Sequence, residues 1–319
     1  MSFALKEIKE AKQRISPYVL KTPLLRMPVL DAWLGCEVYA KVECMQTTGA
    51  FKLRGAFNKL LSLTPEQLRC GVVTASTGNH GRAMAYAAKM LGAKATVVMP
   101  RTAPQVKIDA VRALGAEVVL CGAEERFDVA ERIRAESSGT MVPPYNDDVI
   151  MAGQGTLGLE IIEQQPDLDA VVVPVGGGGL ISGIATAVKE TSPRVRVYGA
   201  DPAVLPAYAQ SLKAGKMLTL PFSPTVAEAL LCQTPGDKCF PCLQKYVDAV
   251  YSVSEAFILK GMKLLLTEGK ILAEASSCIG IGAAMEKLLP VAPKDKVCFV
   301  ISGGSVGVEQ LRMLEEVEL

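Results

Sequence analysis

Gly71-Val72-Val73-Thr74-Ala75-Ser76-Thr77-Gly78-Asn79-His80-Gly81 begins with residues that favour a strand and ends in small and polar residues that favour a turn. From Arg82 to Leu91 the apolar residues recur at helical spacing, and Ala95 to Met99 is again strand-like, which makes a strand, turn, helix, strand unit. The order repeats outward. Gln105 to Leu114 reads as helix, Ala116 to Leu120 as strand and Phe127 to Ser137 as helix. Beyond the breaker Pro143-Pro144-Tyr145-Asn146-Asp147-Asp148 come a helix from Gly153 to Gln164, a strand from Ala170 to Val175, the turn Gly176-Gly177-Gly178-Gly179, a helix from Ile181 to Glu190 and a strand from Val195 to Ala200. Toward the N-terminus, Leu5 to Tyr18 fits an amphipathic helix, Glu37 to Val42 a strand and Phe57 to Leu63 a helix. Toward the C-terminus, Phe257 to Glu268 and Ile279 to Leu289 fit helices, and the strand Lys296 to Ile301 runs into Ser302-Gly303-Gly304-Ser305. Such alternation predicts an α/β fold with open, mostly parallel sheets covered by helices. A small lobe from 44 to 143 is expected to be inserted into a large lobe formed by 1–43 and 144–319.

The totals narrow the function classes. At 319 residues with half of them apolar, the chain can bury a large core or two. A formal charge of +1 gives no field for a polyanion, so nucleic acid is not an expected partner. Met1 to Glu7 is charged and has no apolar core, so no secretory signal is expected and the protein is placed in the cytosol. The uncharged run from Ala170 to Val188 approaches the length of a membrane span. Pro174 and the four glycines behind it make it a buried strand, turn and helix instead, so no membrane partner is expected. The nine cysteines should be reduced thiols. Cys239-Phe240-Pro241-Cys242 has the spacing of half a zinc site, but no second pair or histidine lies near it, and a loop with incidental cysteines is expected.

Three turns leave strand ends, where ligands bind in open parallel sheets. Gly176 to Gly179 exposes backbone N–H groups at the start of a helix and can hold a phosphate, or can simply let a helix pack closely. It lacks the Gly-Lys-Ser/Thr of a nucleotide-phosphate loop and the spacing of a dinucleotide fingerprint. Ser76-Thr77-Gly78-Asn79-His80 offers hydroxyls, an amide and an imidazole suited to a substrate carboxylate; a capping or buried structural role is the alternative for His80. Ser302 sits at the last turn. Lys52, in Thr48-Gly49-Ala50-Phe51-Lys52-Leu53-Arg54-Gly55-Ala56, lies between apolar neighbours at a strand or helix start, where burial would lower its pKa and free an amine for Schiff-base chemistry. The alternative is a solvated lysine on an edge strand.

With Phe51-Lys52-Leu53-Arg54-Gly55-Ala56, Ser76 to Gly81, Ala152-Gly153-Gln154-Gly155-Thr156, Gly176 to Gly179 and Ser302-Gly303-Gly304 in this order, the chain resembles, over nearly its full length, the fold-type II pyridoxal-phosphate enzymes of the serine/threonine dehydratase and serine racemase family. The resemblance implies a fold like the tryptophan synthase β chain, a homodimer or higher homo-oligomer, and a small amino acid as substrate. It implies that Lys52 links to the cofactor aldehyde, that Gly176, Gly177, Gly178 and Gly179 bind its phosphate, and that Phe51 packs on the ring. Asn79 would bond the phenolic oxygen and Ser302 the pyridine nitrogen, with Glu274 nearby. Ser76, Thr77, Gly78, Asn79, His80 and Tyr145 would contact substrate. The reaction implied is β-elimination: Lys52 takes the Cα proton, the β-hydroxyl leaves with a proton from the cofactor phosphate, and the product hydrolyses to a 2-oxo acid and ammonia.

Departures qualify the substrate. Ala50 stands where a serine is usual. Thr77 replaces the serine that acts as second acid/base in racemases, and it is stiffer at χ1. Of the two acids of the family's cation site, Asp201 matches the first and the second falls near Ala207, so a divalent cation is left open. Residues 47–52 and 75–82 are most similar to the branch of hydroxyectoine-utilisation dehydratases. Amino-acid racemisation, a catalytically silent binding protein on this scaffold, and a dinucleotide-dependent oxidoreductase are the competing functions.

Overall fold

The computed structural model describes residues 3–76 and 78–319. Ten strands form two sheets: β1 (Leu24–Arg26), β2 (Glu37–Val42), β3 (Val72–Ala75), β4 (Ala95–Pro100), β5 (Glu117–Cys121), β6 (Thr140–Met141), β7 (Ala170–Pro174), β8 (Arg196–Pro202), β9 (Ala249–Val253) and β10 (Lys296–Ile301). The larger sheet has the order β1-β2-β10-β7-β8-β9 and the smaller β5-β4-β3-β6. Only β1 on β2 is antiparallel; the other pairs are parallel, with Lys296 opposite Glu37, Val297 opposite Ala170 and Val72 opposite Ala95. All four strands of the smaller sheet come from residues 72–141.

Both faces of the larger sheet are buried, which is why β7 and β10 are apolar without alternation. Ala170, Val172, Val297, Phe299 and Ile301 point to one core with the helices Glu255–Thr267 and Ala275–Met285. Val171, Val173, Cys298 and Val300 point to the other, with the helices Leu5–Ile15, Asp148–Gln164 and Gly179–Thr191. Each such side chain contributes roughly 1.5–3 kcal/mol by leaving water. The run from Ala170 to Val188 is β7, the glycine turn and part of a buried helix. Among the described residues no helix is long and apolar enough to cross a membrane.

Several expected boundaries shift. The helix expected from Phe57 begins at Lys52, and the one expected from Arg82 begins at Asn79, so Asn79 and His80 belong to its first turn. The Cys239 segment is a short helix, Phe240–Tyr246, instead of a loop, with Cys239 and Cys242 buried in the core. β1, β6 and β9 were not expected; β1 and β6 are very short, and β9 carries Ser252, so their apolar patterns are weak.

Candidate active site

Because β10 enters between β2 and β7, the turns after β7 and β10 leave the same edge of the larger sheet. The turn after β3 comes from the smaller sheet and meets them. Between these turns lies a cavity of about 550 Å3, lined by Phe51, Lys52, Ser76, Gly78, Asn79, His80, Tyr145, Gly176 to Gly179, Glu274 and Ser302. Residues as far apart in the chain as Phe51 and Ser302 are thus brought to one place, while Thr77 lies outside the described residues.

Lys52 is the first residue of the helix Lys52–Leu61, preceded by Gly49 at φ +76°. Its Nζ donates to the Pro144 carbonyl at 2.5 Å and stands 5.0 Å from the Phe51 ring centre. Crowding by protein atoms disfavours the ammonium and brings its pKa down to about 8. The helix behind it is held by charge. Arg54, wholly buried, donates to Glu43 (2.8 Å from both Nε and Nη2) and to Glu160 (2.7 and 2.9 Å). Lys41 Nζ completes the cluster 2.6 Å from Glu160. On the same side, a Cβ on Gly153 would lie 2.7 Å from the Arg54 carbonyl and the Gly55 Cα. The Ala152 to Thr156 motif therefore serves close helix contact and does not line the cavity.

The glycine turn opens the helix Gly179–Thr191 with Gly178 at φ +92°, a conformation that disfavours any side chain. The first N–H groups of a helix have no intrahelical acceptor and carry the positive end of its dipole, and Gly179 and Leu180 at this helix start line the cavity. The Tyr145 ring packs on Gly177, and its Cβ and Cα lie against Gly179. Tyr208, absent from the sequence reasoning, braces the turn from behind: its Oη donates to Gly177 O at 2.9 Å and accepts from Gly236 N–H at 3.1 Å. A Cβ on Gly178 would lie 2.0 Å from that Oη. Gly178→Ala is expected to combine this clash with ~1–2 kcal/mol of left-handed strain. Thermal melts with and without inorganic phosphate should then show a lower Tm and little phosphate-dependent stabilisation; a wild-type response would refute the cradle.

Burial holds the remaining polar groups in defined states. His80 is 2% exposed, and Nε2 pairs with Val142 O at 3.1 Å, which assigns the proton to Nε2. Burial, then the nearby Lys52 charge, push its pKa down to about 3, so it is a neutral ring that ties the helix start to the strand exit. Ser76 Oγ accepts from the N–H groups of Gly81 (3.2 Å) and Gly78 (3.4 Å). Glu274 is pushed up to about 7 by burial, opposed by the bond from Asn79 Nδ2 at 2.9 Å. Ser302 Oγ lies 3.0 Å from Ser277 Oγ, which also pairs with the Gly303 backbone. Cys232, Arg126 and Glu228 also line the cavity; Cys232 clusters with Cys239 and Cys242 in the sequence without the spacing of a complete site, and nothing there marks Arg126 or Glu228.

The possible cation site is a different matter. Asp201 is 2% exposed, and its oxygens already accept from Ser252 Oγ at 2.8 Å and Ala209 N–H at 3.0 Å. Among the described residues no group of three His, Cys, Asp or Glu is placed to hold a metal ion; a divalent cation at Asp201 would draw its other oxygen ligands from backbone carbonyls and water.

Known proteins resemble this architecture closely. The chain is 43% identical over 309 residues to the L-threonine ammonia-lyase of Thermotoga maritima, a match spanning 96% of this chain and 77% of that protein. It is 40% identical to the serine racemase of Arabidopsis thaliana, over 95% of this chain and 93% of that one. The solved structure of maize serine racemase superposes with a TM-score of 0.94 at 37% identity, covering 98% of this chain and 97% of that chain. The family model described as pyridoxal-phosphate dependent enzyme matches residues 15–303, and with the paired sheets and the cavity between their turns this makes the chain a member of the pyridoxal-phosphate-dependent enzyme family.

Proposed function

We propose that this enzyme eliminates water from a β-hydroxy amino acid of the threonine or serine type and releases a 2-oxo acid and ammonia. The observation that carries the reading is that the Lys52 amine and the four-glycine turn open into one cavity. The residues present fit pyridoxal phosphate: a cradle that a Cβ would fill at one end, a lysine with depressed pKa, an amide at Asn79 and a hydroxyl at Ser302. When bound, the group supplies an aldehyde that joins amines and a ring that withdraws electrons from Cα. The N–H groups of Gly176 to Gly179 would hold its phosphate, and Phe51 would pack on its ring. Lys52 would yield its place to the substrate amine and then, as a neutral amine, take the proton from Cα. The Ser302 hydroxyl would donate to the ring nitrogen, with Ser277 turning to donate to Ser302. A hydroxyl, unlike a carboxylate, leaves that nitrogen unprotonated, which favours elimination.

Racemisation is the second reading, supported by the likeness to the Arabidopsis and maize serine racemases; it requires a second acid/base, the role that the family resemblance gives to the position of Thr77. The experiment that separates them is a panel of β-hydroxy amino acids, including threonine, serine and the hydroxylated substrates of the hydroxyectoine branch, assayed in deuterated water. Elimination predicts 2-oxo acid and ammonia as the products, with little deuterium in recovered amino acid. Deuterium at Cα of both enantiomers without oxo acid would replace this reading by the second. A homodimer or higher homo-oligomer working in the cytosol belongs to the proposal, and light scattering on the same preparation reads the oligomer.

A further inference from the structure

Asn79 is the hub of a ring of contacts between three distant segments. Its Nδ2 donates to Glu274 Oε1 at 2.9 Å. Its Oδ1 accepts from the hydroxyl of Ser305. The Ser305 backbone also lies by the Glu274 carboxylate and helps to hold its pKa down against burial. Asn79 opens the helix Asn79–Met90 that follows β3 of the smaller sheet, Glu274 holds the position before the helix Ala275–Met285, and Ser305 lies in the loop after β10. Gly303 lies beneath the ring: a Cβ there would be 2.6 Å from Glu274 Oε1 and 3.0 Å from Asn79 Nδ2.

The ring settles which way the Asn79 amide faces. The Ser305 hydroxyl can donate to Oδ1, and above pH about 7 the ionised Glu274 can only accept from Nδ2. Turning the amide by half a turn would set Oδ1 against the carboxylate, acceptor against acceptor. One N–H of Nδ2 is spent on Glu274, which leaves the other unclaimed within the ring. Asn79 and Glu274 line the cavity, whereas Ser305 is absent from its wall and stands behind the amide.

We propose that Ser305 is a positioning residue that locks the Asn79 amide with its free N–H directed at the cavity. The inference rests on the cofactor reading above, in which that N–H meets the phenolic oxygen of the ring. No chemistry passes through Ser305; it fixes the orientation of the group that does the bonding.

The test uses cofactor-loaded enzyme and the pH titration of its visible absorption band, a property of the ring and its oxygen and not of turnover. Ser305→Ala is expected to keep the cofactor bound but move the titration midpoint by about one pH unit, the size of one lost hydrogen bond to a charged group. Ser305→Thr, which keeps a hydroxyl, should restore the wild-type midpoint. Ser305→Gly removes the same hydroxyl from a partly exposed loop and gives a second deletion should the alanine variant not fold. A wild-type midpoint in either deletion variant overturns the proposal, as does a shift that threonine fails to reverse. Wild-type protein that develops no visible band with pyridoxal phosphate would instead refute the underlying cofactor reading.

Discussion

Replacing Lys52 by alanine is expected to lower turnover by at least ~10³-fold, because one side chain supplies both the amine that links the cofactor and the base that takes the Cα proton. The cradle of Gly176 to Gly179 and the amide of Asn79 are untouched by the change, so pyridoxal phosphate should still bind, without a covalent link. Borohydride reduction followed by peptide mass analysis checks this: wild-type protein should carry the label on the peptide containing Lys52, and Lys52→Ala should carry none there. The pH dependence of cofactor capture tests the same residue in the wild-type chain. Crowding places the Lys52 pKa at about 8, below the ordinary lysine value, and only the neutral amine attacks an aldehyde. The capture rate of cofactor-free protein should therefore climb as pH rises toward about 8 and level off above it. A rate still climbing beyond pH 10 would mean that the amine is an ordinary solvated lysine.

Arg54→Met has the largest expected effect on stability. It leaves Glu43 buried with Thr22 as its remaining side-chain partner and removes two bonds from Glu160. Breaking a buried pair from one side costs about 3–5 kcal/mol, which for a chain of this size corresponds to a Tm lower by roughly 4–8 °C. Because Arg54 follows Lys52 by two residues on the same helix, the cofactor's visible band should also broaden or lose intensity at temperatures where the fold persists. Arg54→Lys, which keeps the charge but cannot fork between two carboxylates, should recover only part of the loss. Calorimetry on the cofactor-free protein separates the packing effect from ligand stabilisation; an unchanged Tm would mean that the cluster adds nothing net to the fold.

Some of this was legible from spacing alone. Strand Lys296 to Ile301 and strand Glu37 to Val42 were read to their ends, because a buried parallel strand is a continuous apolar run bounded by breakers. The errors are local and have local causes. Gly55 interrupts the helical pattern from Lys52 to Ala56 and hides the first turn of the helix, although that glycine is what lets Gln154 Oε1 reach the Gly55 N–H at 3.2 Å. Asn79 and His80 looked like turn residues because polar groups at a helix start resemble those of a turn.

What the amino-acid order determined by itself is whatever neighbours along the chain decide: alternating strands and helices, glycine turns at strand ends, and a lysine at a helix start beside small residues. The tertiary structure decided the rest. Only the entry of β10 between β2 and β7 sets Ser302 and Ser305 beside the smaller sheet's Asn79, 226 residues from Ser305 in sequence. Only the fold joins Arg54 to Glu160 across 106 residues and Tyr208 to the glycine turn across 31. Periodicity reports which face of an element is apolar, but a hydrogen bond between distant segments leaves no trace in local spacing, and the depressed pKa of Lys52 arises from atoms that folding alone gathers around it.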